Sequence, residues 1–411
     1  MNFFKSRTPL SAKMALAVLS TLLFLFSAQV SLTIYVDSSY LASTIANTPG
    51  LSSMELWEEP EDMVGTLYTF AALITLLALL SAPKILRKIG NYRWTLSILI
   101  LHVLILLGLS MFDSGWLIIP LFMVETALVA VLYFNLDVFL ERYSKDAETG
   151  MIRGLFLAIA SIAWLLPPVL AGTLVDQYGF QLVYLVGAAV VLPTIFIMMR
   201  YFSDFTDLAY NDAPFMMSHK TALAHPNIHY ILMTNFFLHF FYAWMIIYAP
   251  LYFHNHVGIS YQEFGMMLTI ALSAFIIFPY PAGWLADKLL GEKELLVGGF
   301  LLMAVTSALI PLFGKAEAGI FLFALLLFIG RMGASIVETM SETYFFKQID
   351  GSGAGLMGYF RRSRPLALIA APIMASVLLQ FGMIDLGSLF YLLAFIMILA
   401  IYFPLRLKDT L

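Results

Sequence analysis

Ionisable side chains are scarce in this 411-residue chain, and a few of them stand inside long apolar runs. The sharpest case is the stretch 318–343, where Arg331, Ser335, Glu338 and Glu342 recur at helical spacing and share one face. Arg331 lies about 13 residues, or roughly 20 Å, into that stretch, too deep to reach either end easily. A guanidinium, a hydroxyl and two carboxylates on one face can bind an anion or relay charge. The same set can instead form a structural ion pair, Arg331 with Glu338 or with Glu125, that locks one conformation.

Glu125 is about nine residues into the run 116–140, where burial suits a carboxyl group to bind and release a proton. It too can be an ion-pair partner. In the run 227–252, Asn235, His239 and Tyr242 share a face at i, i+4 and i+7. His239 can titrate there, or simply bond to a neighbouring helix. Asp137 with Glu141 repeats the spacing of Glu338 with Glu342, each pair near the end of its run. These pairs read more readily as latches to basic loops than as solute ligands. Asp37 closes the first run, where wet capping is expected. Arg361, Arg362 and Arg364 open a late run; anchoring explains them, although Arg364 is deep enough to reach a central cavity.

The elements that position these groups are long and apolar on every side. The chain is 61% hydrophobic and 12% charged, against about 25% charged in an average soluble domain. Bilayer-length apolar runs cover 14–36, 64–83, 93–112, 116–140, 153–174 and 180–200, then 227–252, 262–286, 294–313, 318–343, 355–381 and 386–406. About 20 such residues cross a hydrocarbon core of about 30 Å, so twelve transmembrane helices are expected. Arg331 and Glu125 then sit at membrane depth, where an ionisable group costs about 2.5–3.5 kcal/mol and is a functional candidate by default. The 35 Phe and 20 Tyr include cavity-lining candidates, but most are expected in lipid-facing or core positions.

Basic residues settle the expected orientation. Alternate loops and run ends, starting with the N-terminus, hold 20 of the 22 Lys and Arg; Lys315 falls outside that set and Arg331 within a run. The first intervening loop has Glu55, Glu58, Glu59, Glu61 and Asp62 with no basic residue. The positive-inside rule therefore places both termini in the cytoplasm, with the chain in the cytoplasmic (inner) membrane. The first run is too long for a cleavable signal peptide.

Other chemistries find no support. There is no Cys, which removes disulfides, thiolate metal sites and catalytic thiols. No Walker-type glycine loop appears, so direct ATP drive is not expected. Neither a His/Glu metal cluster nor a Ser-His-Asp arrangement stands out. The reading is therefore of a non-enzyme without cofactor or metal and without nucleic acid as a partner.

The two halves of the chain can be laid over one another. Ile34-Tyr35-Val36-Asp37 resembles Ile247-Tyr248-Ala249-Pro250, and Gly65, Thr69 and Lys88 fall on Gly265, Thr269 and Lys288. Asp137 and Glu141 fall on Glu338 and Glu342; Gly154, Phe156 and Pro168 fall on Gly358, Phe360 and Pro372. The join is the polar stretch 201–225, which gives two six-helix bundles, 1–200 and 226–411. Paired six-helix repeats are an architecture of carriers with a site between the halves near the midplane.

Here the sequence resembles the major facilitator superfamily along essentially its whole length. That family carries Gly-x-x-x-Asp-(Arg/Lys)-x-Gly between spans 2 and 3, with a second copy between spans 8 and 9. The second copy reads Gly283-Trp284-Leu285-Ala286-Asp287-Lys288, then Gly291 and Lys293. The first is eroded to Pro83, Arg87, Lys88, Gly90 and Arg93, with Arg87 where the family has aspartate. Pro167-Pro168-Val169-Leu170-Ala171-Gly172 resembles a degraded exporter motif of span 5. The resemblance implies an all-α fold and a cavity lined by spans 1, 4, 7 and 10, so that Asn235, His239 and Tyr242 face it. Gln29, the repeat mate of Tyr242, joins that candidate substrate set with Glu125, Arg331 and Ser335. Asp137, Glu141, Arg87, Asp287, Lys288, Glu338, Glu342 and Arg364 form the candidate coupling and gating set.

The resemblance also implies a monomeric secondary transporter that moves a small solute by alternating access, with protons the candidate coupling ion. Proton-coupled export and import of a small organic anion both stay open, as does a non-transporting sensor or assembly partner on the same fold. Fold resemblance does not identify a substrate.

Overall fold

In a computed structural model the chain is described over residues 12–51, 60–143, 159–205, 207, 225–314, 319–348, 360 and 363–408. Glu55, Glu58, Glu59, Gly154, Phe156, Gly358, Arg361, Arg362 and most of the 201–225 stretch lie outside the described residues. Every element among the described residues is helical. The first half holds α1 (Ala12–Thr33), α2 (Pro60–Ile89), α3 (Asn91–Met111), α4 (Gly115–Tyr143), α5 (Pro167–Tyr178) and α6 (Phe180–Tyr201). The second holds α7 (Pro226–Leu251), α8 (Tyr261–Leu272), α9 (Gly291–Gly314), α10 (Ile320–Gln348), α11 (Ser363–Gln380) and α12 (Ser388–Ala400). A short helix, Asp37–Asn47, follows α1, and α8 continues in pieces to a π-helical turn at Ala286–Leu290.

Eleven helical stretches among the described residues are long and apolar enough to cross a bilayer, and one of them, Tyr261–Gly314, has 54 residues. At 1.5 Å per residue it would span roughly 80 Å if straight, far more than a core of about 30 Å. Gly291, at φ 77 and ψ 167, breaks it into two crossings, which makes twelve. Gly90 (φ 81, ψ 155) between α2 and α3 and Gly179 (φ 84, ψ 172) between α5 and α6 make similar breaks. This backbone region is essentially closed to residues with a Cβ. Gly90 and Gly291 are the glycines of the two motif copies, so their placement has a steric cause.

Within the first half, α3 packs on α4 and α6, α2 on α4, and α1 on α6; in the second, α9 packs on α10 and α12, and α7 on α11. Water-driven burial is weak between helices in lipid, so small residues that permit close contact matter more. Gly299 of α9 and Gly333 of α10 show this, since a Cβ on either would strike the other's carbonyl oxygen.

The two ends of this multi-pass bundle differ in charge. Asp37, Glu61, Asp62, Asp113 and Asp176 lie at one, the acidic end. Every described Lys and Arg except Arg331 lies toward the other, the basic end. The halves join closely at the acidic end, through α2 against α11 and α5 against α8. A Cβ on Gly65 would collide with Tyr248 and Ser376, one on Gly172 with the Tyr261 carbonyl, and one on Gly265 with the Pro168 carbonyl. Gly65 and Gly265 are repeat mates, so each half supplies the same glycine to the same kind of joint.

Candidate functional site

The site is built on α10. Arg331 is only 3% exposed, and its Nε and Nη2 have no hydrogen-bond partner; neither has the buried Ser335 hydroxyl one turn on. No carboxylate among the described residues lies within ion-pairing distance of Arg331. The expected structural pair with Glu338 or Glu125 is therefore not made. The guanidinium carbon sits instead 5.7 Å from the ring centres of Phe241 and Tyr242 on α7. Aromatic faces attract a cation but leave its N–H groups unsatisfied, and buried donors without acceptors are costly.

Glu338 takes a different partner from the basic loops expected for it. Its Oε2 accepts a 3.0 Å hydrogen bond from the Tyr242 hydroxyl. On α7, Asn235 Nδ2 donates to Ser363 Oγ of α11 at 2.5 Å, and His239 Nδ1 lies 2.8 Å from the Asn235 carbonyl. A carbonyl only accepts, so Nδ1 carries the proton and Nε2 is the imidazole's free acceptor. Arg364 is exposed at the basic side of this wall. Its charge acts on His239 and Glu338 and, from the opposite half, on Tyr133 of α4. Arg331 likewise acts on Tyr35, just beyond α1. Tyr35 and Tyr133 are thus first-half residues within the field of the site's two cations. Nothing in the sequence separated them from the chain's other aromatics.

Two expected members sit elsewhere. Gln29 is fully buried against α3, its Oε1 bonded to His102 Nε2 at 2.8 Å. Glu125, 5% exposed, acts on the first-half residues Tyr68 and Tyr184 and makes no ion pair with Arg331. Asp37 was expected to be a wet cap, but it is 6% exposed and accepts a 2.6 Å bond from the Tyr184 hydroxyl. The chain stays helical after Asp37, which buries a residue that hydropathy places at a span end.

The gating candidates fall at the basic end. Asp287 lies 3.7 Å from Lys347 at the end of α10, and Lys347 also meets Glu292 at 2.5 Å. Glu292 is 1% exposed, so it is the buried member of this triad. Lys288, Arg87 and Glu141 are exposed; Asp137 and Glu342 are half-buried on their helices. In the eroded first motif copy, α3 begins with its Asn91 N–H donating to Asp207 of the linker at 2.7 Å.

At the acidic end the halves are fastened by polar contacts. Glu61 at the start of α2 accepts from Asn255, and its other oxygen lies 3.3 Å from His256 Nε2. Asp176 of α5 accepts from the Tyr261 and Gln262 N–H groups at 3.2 and 2.7 Å, the open N-terminus of α8.

The sequence profile of the Major Facilitator Superfamily matches residues 231–410, the second half of this arrangement. An auto-inhibited peptide transporter of the POT family superposes with a TM-score of 0.75 at 10% identity, covering 96% of this chain and 98% of the other. The chain has the fold of the major facilitator superfamily. The POT family transporter PepTSo superposes at 0.74 with 10% identity, covering 97% of this chain and 98% of that one. A bacterial homologue of the iron transporter ferroportin, in an inward-facing state, gives 0.69 at 14% identity, with 95% and 98% covered. No curated protein matches in sequence. Within the second half, α7 and α10 bring Tyr242, Arg331 and Glu338 together.

Proposed function

We propose that this protein is a secondary transporter that carries a small anionic solute, with Arg331 as the fixed charge that receives it. The observation that supports this reading is a guanidinium buried in the bilayer region with unpaired donors. An anion with two oxygens fits such a fork by paired N–H···O bonds, and the Ser335 hydroxyl supplies another donor on the same face. Glu338, held by Tyr242, keeps a negative charge away from that fork until solute arrives.

Closure at the acidic end, with Arg364 exposed at the other, supports alternating access about this site. The positive-inside rule assigns the basic end to the cytoplasm, which puts both termini there. Buried polar groups without partners on α10 favour carriage over a purely structural partner role. His239 offers a titratable acceptor beside Arg364, and Glu125 a second candidate for coupling on the far side of the bundle.

Counterflow in proteoliposomes with a panel of small carboxylates and phosphorylated solutes tests this. At least one anion should exchange, Arg331→Gln should abolish exchange, and Arg331→Lys should retain only a fraction because the fork is lost. Full exchange by Arg331→Gln would rule out the assigned role. An imposed pH gradient in the same vesicles gives direction and coupling.

A further inference from the structure

One of the contacts that fasten the halves at the acidic end includes a group that changes charge near neutral pH. Glu61 opens α2 of the first half, and both of its carboxylate oxygens are taken by the second half. Oε1 accepts from the Asn255 amide, and Oε2 lies 3.3 Å from His256 Nε2. Asn255 and His256 belong to a π-helical turn, Tyr252–His256, that continues α7 after Pro250. Such turns are rare and recur at functional sites. The imidazole lies flat on the Tyr252 ring, with 5.9 Å between centres and 12° between planes. Tyr252 is buried, so the platform under the imidazole is fixed.

A carboxylate only accepts, so Nε2 carries the hydrogen and Nδ1 is the acceptor left on the neutral ring. The His256 side chain is 46% exposed against 17% for Glu61. Water therefore reaches the ring and can protonate Nδ1 without parting the halves. The contact then becomes an ion pair, and histidine side chains make that change of charge between about pH 5 and 8. The groups around the ring act in the same direction. Asp62 follows Glu61 on α2 and adds negative charge. On the same turn His254 faces α8, its ring stacked on Tyr261 at 3.9 Å and its Nδ1 3.1 Å from the Ile259 carbonyl. From beside and within α12, Asp385 and Tyr391 act on Tyr252 beneath the imidazole. No Lys or Arg among the described residues lies at this end; Lys315 is outside them.

We propose that His256 and Glu61 form a proton-operated latch: acidification of the compartment at the acidic end fastens the two halves together there and holds that end shut. The inference rests on the alternating-access reading and adds a regulator to it. His256 lies at the surface, apart from α10 and the solute site, so its proton governs which end opens and does not travel with solute. The latch is strongest at low pH and loosens as pH rises through the histidine range. An exposed ion pair is weak, so the ratio of closed to open forms should change by about two- to fivefold.

Cysteine labelling of the purified full-length protein tests this without a solute. The chain has no native Cys, and Ser38 is fully buried near the acidic end, so Ser38→Cys should react with a polar maleimide only when that end opens. Thiols react faster as pH rises, so rates are compared between latch variants of this Ser38→Cys protein at one pH. His256→Gln, which resembles the neutral ring, should label as the parent does at pH 8 and about two- to fivefold faster at pH 5. Glu61→Gln should lose the same pH dependence, and the double variant should go no further. Asn255→Ala, which loosens the joint without touching the titrating ring, should label faster at both pH values and keep the parent's pH dependence. A ratio of His256→Gln to parent that stays constant from pH 8 to 5, or one that falls, would overturn the latch and leave the carrier reading intact. No labelling of any variant would instead remove the opening on which both readings rest.

Discussion

Tyr242 of α7 donates a 3.0 Å hydrogen bond to Glu338 of α10, while its ring lies 5.7 Å from the Arg331 guanidinium carbon. One side chain thus stands between a cation and an anion two turns apart on the same helix. It satisfies the carboxylate through its hydroxyl and the cation through its ring. Tyr242→Phe keeps the ring and removes the bond, and a hydrogen bond to a charged group is worth about 1.5–3 kcal/mol. The freed Glu338 should then compete for Arg331, weakening anion binding by about tenfold or more. Equilibrium binding of the transported anion measures this, and unchanged affinity would show that Glu338 is held in place without Tyr242.

Arg331 should cost stability in order to serve binding. Replacing buried charges by apolar groups of similar volume often stabilises a protein by about 1–4 kcal/mol. Arg331→Met is accordingly expected to raise the melting temperature in detergent while abolishing anion exchange. A fall in melting temperature would mean that the guanidinium is structurally satisfied after all.

The glycine joint between α5 and α8 should set which end is open. A Cβ on Gly172 collides with the Tyr261 carbonyl, and backbone cannot yield as a side-chain tip can. Gly172→Val should therefore shift the population toward opening at the acidic end. The chain has no native cysteine, so a single Cys placed at Ser38 reports this cleanly. Its labelling by a membrane-impermeant maleimide should rise several-fold in the valine background.

Asp176 fastens α8 without being needed to form it. Ser260 and Glu263 already make a complete capping box at that helix start, and a cap of this kind is worth about 1 kcal/mol. Asp176→Asn should leave helicity by circular dichroism intact while raising the same labelling at Ser38. If helicity fell instead, Asp176 would be part of the fold and not of the gate.

Lys347 neutralises the buried Glu292. Breaking a buried pair costs about 3–5 kcal/mol, but Lys347 is 45% exposed, so water should soften the loss to below that range. Lys347→Met should lower stability, and adding Glu292→Gln should restore most of it. A double variant no better than the single would leave Asp287 as the partner that matters.

Hydropathy and charge asymmetry made the helices legible, since a bilayer imposes one length and one composition on every span. The α10 face was legible too, because Arg331 and Glu338 are conspicuous where nearly everything else is apolar. Partners were not. Gln29 has the same spacing logic as Tyr242, yet His102 from α3 claims its amide, and no local pattern announces a bond across 73 residues. Tyr35 and Tyr133 vanish among 35 Phe and 20 Tyr. Asp37 looked wet because a hydropathy window ends where polar residues begin, although the helix after it carries those residues inside.

The mated glycines Gly65 and Gly265 have a consequence for the shape of the energy barrier. Each of the two seams is closed by backbone touching backbone or a rigid neighbour, with little slack for one to stretch while the other holds. Parting only one seam would lose its contacts and still admit nothing. The two must therefore come undone in one concerted step, so occupancy of half-open forms should be small. A wedge driven into either seam, by mutation or by a binding protein, would release both.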